Sequence, residues 1–204
     1  MKTKLERFAL GLILAPLAPL AFFMAAWWLS YTLLPEKWIP FGTIAGLLLG
    51  LLADVFILKK LIARADRLGT VFWAAVFLFY SVGMFGFFMG VPVFNAALAV
   101  PAGFVVGGKL AHETADGMQV RRVSLQTCIL TTGLLSLVCA ASAFFALSSS
   151  STPSDLRGML GLGFEVTPAM IWGLILVGGT GLLAVNWLLT GLTVRFTHRF
   201  LSTS

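Results

Sequence analysis

Six long apolar runs, separated by stretches too short to hold a soluble domain, leave this chain few ways to fold. The runs cover about 8–34, 39–58, 71–89, 91–110, 124–147 and 168–192. Each is close to or above the roughly 20 residues that a helix needs to cross a hydrocarbon core about 30 Å thick. Lipid offers a backbone amide no partner, so each run is predicted to be a helix that satisfies its own N–H and C=O groups. The expected fold is all-α, a six-transmembrane-helix bundle forming one integral membrane domain over 1–204. Only 11% of the residues are charged, against roughly 25% in soluble domains. The partner expected for the remaining apolar surface is the lipid bilayer.

The few charges are sorted. Lys2, Lys4, Arg7, Lys59, Lys60, Arg64, Arg67, Lys109, Arg121, Arg122, Arg195 and Arg199 fall in alternate connections, and the intervening ones hold only Lys37 and Arg157. Lysine and arginine in short loops stay on the cytoplasmic side. Both termini are therefore expected in the cytoplasm, with the protein multi-pass in a plasma membrane or bacterial inner membrane. A net charge of +6 could attract nucleic acid. The charges form small groups at helix ends rather than a continuous face, so they fit anionic lipid headgroups and no nucleic-acid partner is expected. The opening Met1–Arg7 plus apolar run has the outline of a signal peptide. That run exceeds a usual h-region and no A-x-A site closes it, so it is predicted to be a retained first helix.

Glycine and proline punctuate the spans. Pro16 and Pro19 remove two amide donors from helix one and are predicted to bend or break it. Trp27, Trp28, Tyr31 and Trp38 suit the outer headgroup level. In helix two, Gly42, Gly46 and Gly50 form a small-xxx-small stripe that admits another backbone closely, and Asp54 follows one step later. Helix three carries Gly83, Gly86 and Gly90 among phenylalanines; helix four carries Pro101 and the pair Gly103/Gly107. The stretches Lys59–Gly69 and Ala111–Val123 are expected as inner loops. Between helices five and six, Pro153-Ser154-Asp155-Leu156 reads as the start of a short interfacial helix with Met159, Leu160, Leu162 and Phe164. Prolines in helices one and four, small-residue stripes in two and five, and glycine clusters in three and six give the outline of a weak three-plus-three inverted repeat.

In length, number of crossings and an alanine-rich first helix (Ala15, Ala18, Ala21, Ala25), the chain is similar to the vitamin-binding subunits of energy-coupling-factor transporters. It carries no ligand-binding motif of that family. The resemblance implies a membrane-embedded binding subunit of a transporter.

Asp54 is the one acidic residue clearly inside an apolar run. A carboxylate there must be paired, protonated or hydrated. It is either a proton or cation site that couples or gates, or a structural carboxylate paired with Arg64 or Arg67. Glu165, three residues before Pro168, either helps form a mouth for a cationic solute or sits at the favourable N-terminal end of helix six. Asn95 and Asn186 need partners at membrane depth, as interhelical bonds or as ligand contacts. Thr131 and Ser136 on helix five join them as candidate ligand-binding groups. His112-Glu113-x-x-Asp116 resembles half of a metal site but lacks the second histidine of H-E-x-x-H, and no metal is expected. Cys128 and Cys139 are too far apart along a helix to bond. No catalytic constellation is visible and no cofactor is expected. The leading expectation is a small-solute transporter or its membrane-embedded binding subunit. The alternative is a non-catalytic subunit of a larger membrane complex, with other subunits or further copies of this chain as partners.

Overall fold

The computed structural model describes residues 4–88, 90–113 and 115–203, with the side chains at 66, 159 and 160 outside the description. Lys2, the predicted end of helix three at Met89, and the Met159 and Leu160 side chains therefore lie outside the described residues. Every regular element among the described residues is helical. Six of the helical stretches are long and apolar enough to cross a membrane. Their outward surfaces carry large apolar side chains, among them Phe8, Phe56, Val71, Phe87, Leu137, Val177 and Phe196, each at least 66% exposed. A surface of that kind suits lipid rather than water.

The chain divides into two compact units, Met1–Trp73 and Ala74–Ser204. The boundary falls just after the second span, whereas a three-plus-three repeat would divide after the third.

In the first unit, α1 (Lys4–Leu14) and α2 (Leu17–Leu33) form one span interrupted at Ala15–Pro16. Proline at 16 and 19 supplies no amide proton to the carbonyls of Leu12 and Ala15, and the helix breaks where predicted. A short 3-10 turn, Glu36–Trp38, leads into α3 (Ile39–Arg64). The predicted end near Leu58 is corrected: α3 runs six residues further, and Lys59, Lys60 and Arg64 lie on the helix rather than in a loop. Lysine and arginine are good helix formers and complement the negative end of the helix dipole, so the last turns persist beyond the apolar run.

The second unit holds most of α4 (Thr70–Phe87), then α5 (Ala99–His112), α6 (Gly117–Ser148), α7 (Thr152–Leu160), α8 (Pro168–Gly173) and α9 (Gly179–Ser202). α4 closes on Gly90, whose φ of +80° turns the chain while its amide donates to the Phe85 carbonyl at 2.7 Å. The fourth span does not start as α-helix. Pro92–Leu98 is a 3-10 stretch, and α5 continues it to His112. The expected inner loop 111–123 is also corrected, because α6 begins at Gly117. Asp116 caps it by accepting the Gln119 amide at 2.7 Å, a cap whose Asp-x-x-Gln signature is present in the sequence. A short helix forms at the expected Pro153 start: α7 runs from Thr152 to Leu160 and ends on Gly161 at φ +61°, so Leu162 and Phe164 lie beyond it in the connection. Thr167 caps α8, with Pro168 in its first turn. A π-helical turn, Leu174–Gly178, joins α8 to α9, and helix six extends to Ser202 rather than Leu192.

The fourth span is the core of this unit. In its apolar window 44% of residues are buried, against 6–17% in the other spans. α5 packs chiefly on α9, and α6 packs on both.

Candidate functional site

Both units are held by the same device. In the first, a Cβ at Gly42 would strike Ser30, and one at Gly46 would strike Ala26 and come 2.7 Å from the Phe22 carbonyl. One at Gly50 would come 2.8 Å from the Ala18 carbonyl. The order shows α2 and α3 running antiparallel, with the whole stripe covered by the chain itself. In the second, a Cβ at Gly103 would lie 3.0 Å from the Thr190 carbonyl and one at Gly107 would lie 2.6 Å from the Val194 carbonyl. Here both numbers rise together, so α5 and α9 run parallel, as spans four and six of an alternating bundle must. Glycine lets backbones approach until Cα–H groups meet carbonyl oxygens, which is how membrane helices associate without a hydrophobic driving force between them.

The second unit adds polar side chains to this seam. Asn186 on α9 is 1% exposed and donates from Nδ2 to the Thr132 hydroxyl at 3.0 Å and the Thr131 hydroxyl at 3.4 Å. Thr131 in turn lies 3.1 Å from the Thr190 hydroxyl and donates to the Cys128 carbonyl at 3.3 Å. Thr190 is wholly buried and Cys128 nearly so. The Cys128 thiol reaches the Trp187 carbonyl at 3.6 Å. α6 and α9 are thus stitched by four polar side chains within about one turn. Of the residues singled out in the sequence, Thr131 and Asn186 meet here. Thr132 and Thr190 complete the cluster, Thr190 lying four residues from Asn186 on one face of α9.

Asn95 sits in the 3-10 stretch, which packs against α5, α6 and α9. It is 3% exposed and donates to the Ser81 carbonyl of α4 at 2.8 Å. In both asparagines the amide nitrogen is bonded and the oxygen is not: Asn95 Oδ1 and Asn186 Oδ1 are buried without a hydrogen-bond partner among the described residues. Buried polar atoms are almost always paired, so each orphan calls for a reason. Continuing the α5–α9 register one turn from Gly103 and Thr190 sets Ala99, fully buried, level with Asn186.

The remaining predicted residues are not part of this cluster. Ser136 is one turn past Thr132, only partly buried, and its hydroxyl donates to the Gly133 carbonyl of its own helix at 2.7 Å. Glu165 is exposed in the connection 161–167, and it is Thr167, not Glu165, that caps α8. Asp54 belongs to the first unit. It is partly buried, and among the described residues it has neither a hydrogen bond nor an ion pair, so the expected pairing with Arg64 or Arg67 is not formed. Its neighbours one turn away on α3, Gly50, Leu51, Ile57 and Leu58, carry no charge. The register from Gly46 and Gly50 puts Asp54 level with the Ala15–Pro16 break. The His112–Glu113 stretch forms no metal cluster among the described residues; Lys109 pairs with Glu113 at 3.9 Å.

Comparison of this chain with protein families, with curated proteins and with solved structures gives no match. Its function has to be argued from its own residues.

Proposed function

We propose that the chain is a membrane-embedded transporter of a small solute, or the solute-binding subunit of one, with the solute held beside Asn186 in the second unit. The observation that carries this reading is the pair of orphaned amide oxygens on Asn95 and Asn186. Interhelical adhesion needs each polar group to find a protein partner, because lipid supplies none. These two side chains do so only by half; each oxygen is closed off in this conformation, and a solute admitted when the seam opens would complete them. Asp54, unpaired at the level of a broken helix, is the group proposed to couple or gate, since interrupted spans are where membrane carriers hold ions. The sorting of lysine and arginine supports both termini in the cytoplasm of a plasma or bacterial inner membrane.

The test is a screen of small solutes against the purified chain in lipid nanodiscs, read by thermal unfolding. A saturable rise with some solute is expected, because a ligand that binds only the folded state stabilises it. A flat response over amines, vitamins, sugars and amino acids, together with no uptake into loaded vesicles, would remove the reading. For the threading, cysteines at 59–69 should resist labelling from outside intact cells, and cysteines at 148–151 should react.

A second reading, a non-catalytic subunit of a larger membrane assembly, is favoured by one observation. Gly83 and Gly86 on α4 have open space where a side chain would stand. The stripe Gly42/Gly46/Gly50, an equal candidate from sequence, is already filled by α2. Cross-linking from α4 and α3 separates the two readings: an assembly partner should be captured from position 83 or 86 and not from 46.

A further inference from the structure

We infer that the inner end of the α6–α9 groove holds the phosphate of an anionic phospholipid between Arg121 of α6 and Arg195 of α9; of the reading above, only the membrane threading is needed. Cys128 on α6 and Gly191 on α9 face each other, since a Cβ at Gly191 would meet the Cys128 sulfur at 3.5 Å. Arg121 lies seven residues before Cys128, two turns along the same face of α6. Arg195 lies four residues after Gly191, one turn along the same face of α9. The contacts Thr131–Thr190 and Thr132–Asn186 show the two helices antiparallel, so both steps lead toward the inner end. A rise of about 1.5 Å per residue puts Arg195 about 6 Å, Arg121 about 10 Å and Arg199 about 12 Å below the Cys128–Gly191 contact. All three are exposed, and the Arg195 charge acts on the Cys128 thiol, as a place on the α6 side of α9 requires.

The protein itself does not balance these charges. Among the described residues, no guanidinium of Arg121, Arg122, Arg195 or Arg199 makes a hydrogen bond or an ion pair. The acidic residues at this end are committed: Glu113 pairs with Lys109 at 3.9 Å, and Asp116 caps α6. Asp155 and Glu165 lie past the other end of α6. Sorting a chain across a bilayer requires basic charge on one side, not arginines of two helices aimed at one groove. Nor does helix stability call for them, because basic groups in the opening turns of α6 gain nothing from the dipole, unlike Lys59, Lys60 and Arg64 at the close of α3. The apolar runs 124–147 and 168–192 stop beside Arg121 and Arg195, which sets the guanidinium groups at headgroup depth. Arginine's planar fork matches phosphate oxygens two at a time. A zwitterionic headgroup would bring its own cation among the arginines, and an anionic one does not. Toward the hydrocarbon, Leu125 stands one turn from Arg121 and Leu188 two turns from Arg195, both more than half exposed. Gly191 puts no side chain between them, so an acyl chain can lie along the groove.

The test counts lipid on the purified full chain by native mass spectrometry, during titration with phosphatidylglycerol, phosphatidylcholine or glycerophosphoglycerol, the headgroup without its chains. A first equivalent of phosphatidylglycerol should bind saturably over a range in which the other two do not. Arg121→Gln with Arg195→Gln should weaken that binding about thirtyfold, since each basic group beside an anionic lipid contributes about fivefold. Lys59→Gln with Lys60→Gln, the same loss of charge in the first unit, should change it by less than about twofold. Should the glutamine pair fail to fold, Arg121→Lys with Arg195→Lys, which keeps the charge and removes the fork, should still weaken binding measurably. Equal binding of phosphatidylcholine, an equal loss in the Lys59/Lys60 pair, or no saturable first equivalent overturns the assignment. Binding of glycerophosphoglycerol as tight as that of the lipid also overturns it, and gives the arginines to a soluble phosphate ester instead. The solute screen and the labelling of 59–69 are read separately, so failure of the lipid site is distinct from failure of solute binding or of the threading.

Discussion

The two units use one packing device and end with different chemistry. In the α2–α3 seam, Gly46 and Gly50 face the carbonyls of Phe22 and Ala18; in the α5–α9 seam, Gly103 and Gly107 face those of Thr190 and Val194. Each pair of glycines is four residues apart, and so is each pair of carbonyls. The first seam also buries Ser30 against Gly42, and α1 of the same unit buries Glu6. The seam's buried Thr43 is satisfied by the Ile39 carbonyl one turn back on its own helix. The second goes on to gather Thr131, Thr132, Asn186 and Thr190 across α6 and α9, and it leaves two amide oxygens unpartnered. Both seams rest on glycine contact, and the second adds a hydrogen-bonded cluster of side chains across α6 and α9. That addition is why the solute site is proposed there.

The contrast can be broken at several points. The largest effect is expected from Gly107→Leu and Gly50→Leu, which drive a side chain into backbone in either seam. Each should cost more than the ~1–3 kcal/mol typical of overpacking, because backbone cannot step aside, and should show as loss of folded protein in unfolding titrations. Asn186→Leu comes next and sharpens the difference between adhesion and binding. It removes interhelical bonds worth ~0.6 kcal/mol on average in membranes but also removes an orphaned oxygen. Stability should therefore change by less than ~1 kcal/mol while solute affinity falls about tenfold; equal losses in both would make the cluster mere glue. Thr190→Val, which deletes the hydroxyl beside Thr131, should cost ~0.5–1 kcal/mol by the same unfolding assay. The smallest change belongs to Gly133→Ala, where a Cβ meets nothing within 4 Å. Alanine there should be neutral or stabilise by up to ~1 kcal/mol through helix propensity. A large loss would mean that a partner helix occupies that face.

Much of this architecture is legible in the sequence because lipid forces it. Runs of apolar residues become helices, prolines 16 and 19 break one of them, and glycines at steps of four mark close approach. Span lengths are less legible, since apolar content ends before the helix does. α3 persists through Lys59, Lys60 and Arg64, and α6 starts at a capping Asp116 that hydropathy does not register. The site is half legible. Thr131 and Asn186 announce themselves as polar groups at depth. Their meeting with Thr132 and Thr190 depends on which helices adjoin, and Gly103 and Gly107 pack on α9 rather than on a sequence neighbour. The Ser81 partner of Asn95 is a backbone carbonyl, which no side-chain pattern can reveal. Ser136 misleads because a serine in a membrane helix can bond the carbonyl a turn below and need nothing else.

The most direct measurement is a density map of the purified protein in lipid, at a resolution that shows bound water and small ligands. A non-protein feature within about 3 Å of Asn186 Oδ1, between α6, α9 and the Ala99 face of α5, is the predicted result. A dry seam in which that oxygen accepts a bond from a protein donor would contradict the account.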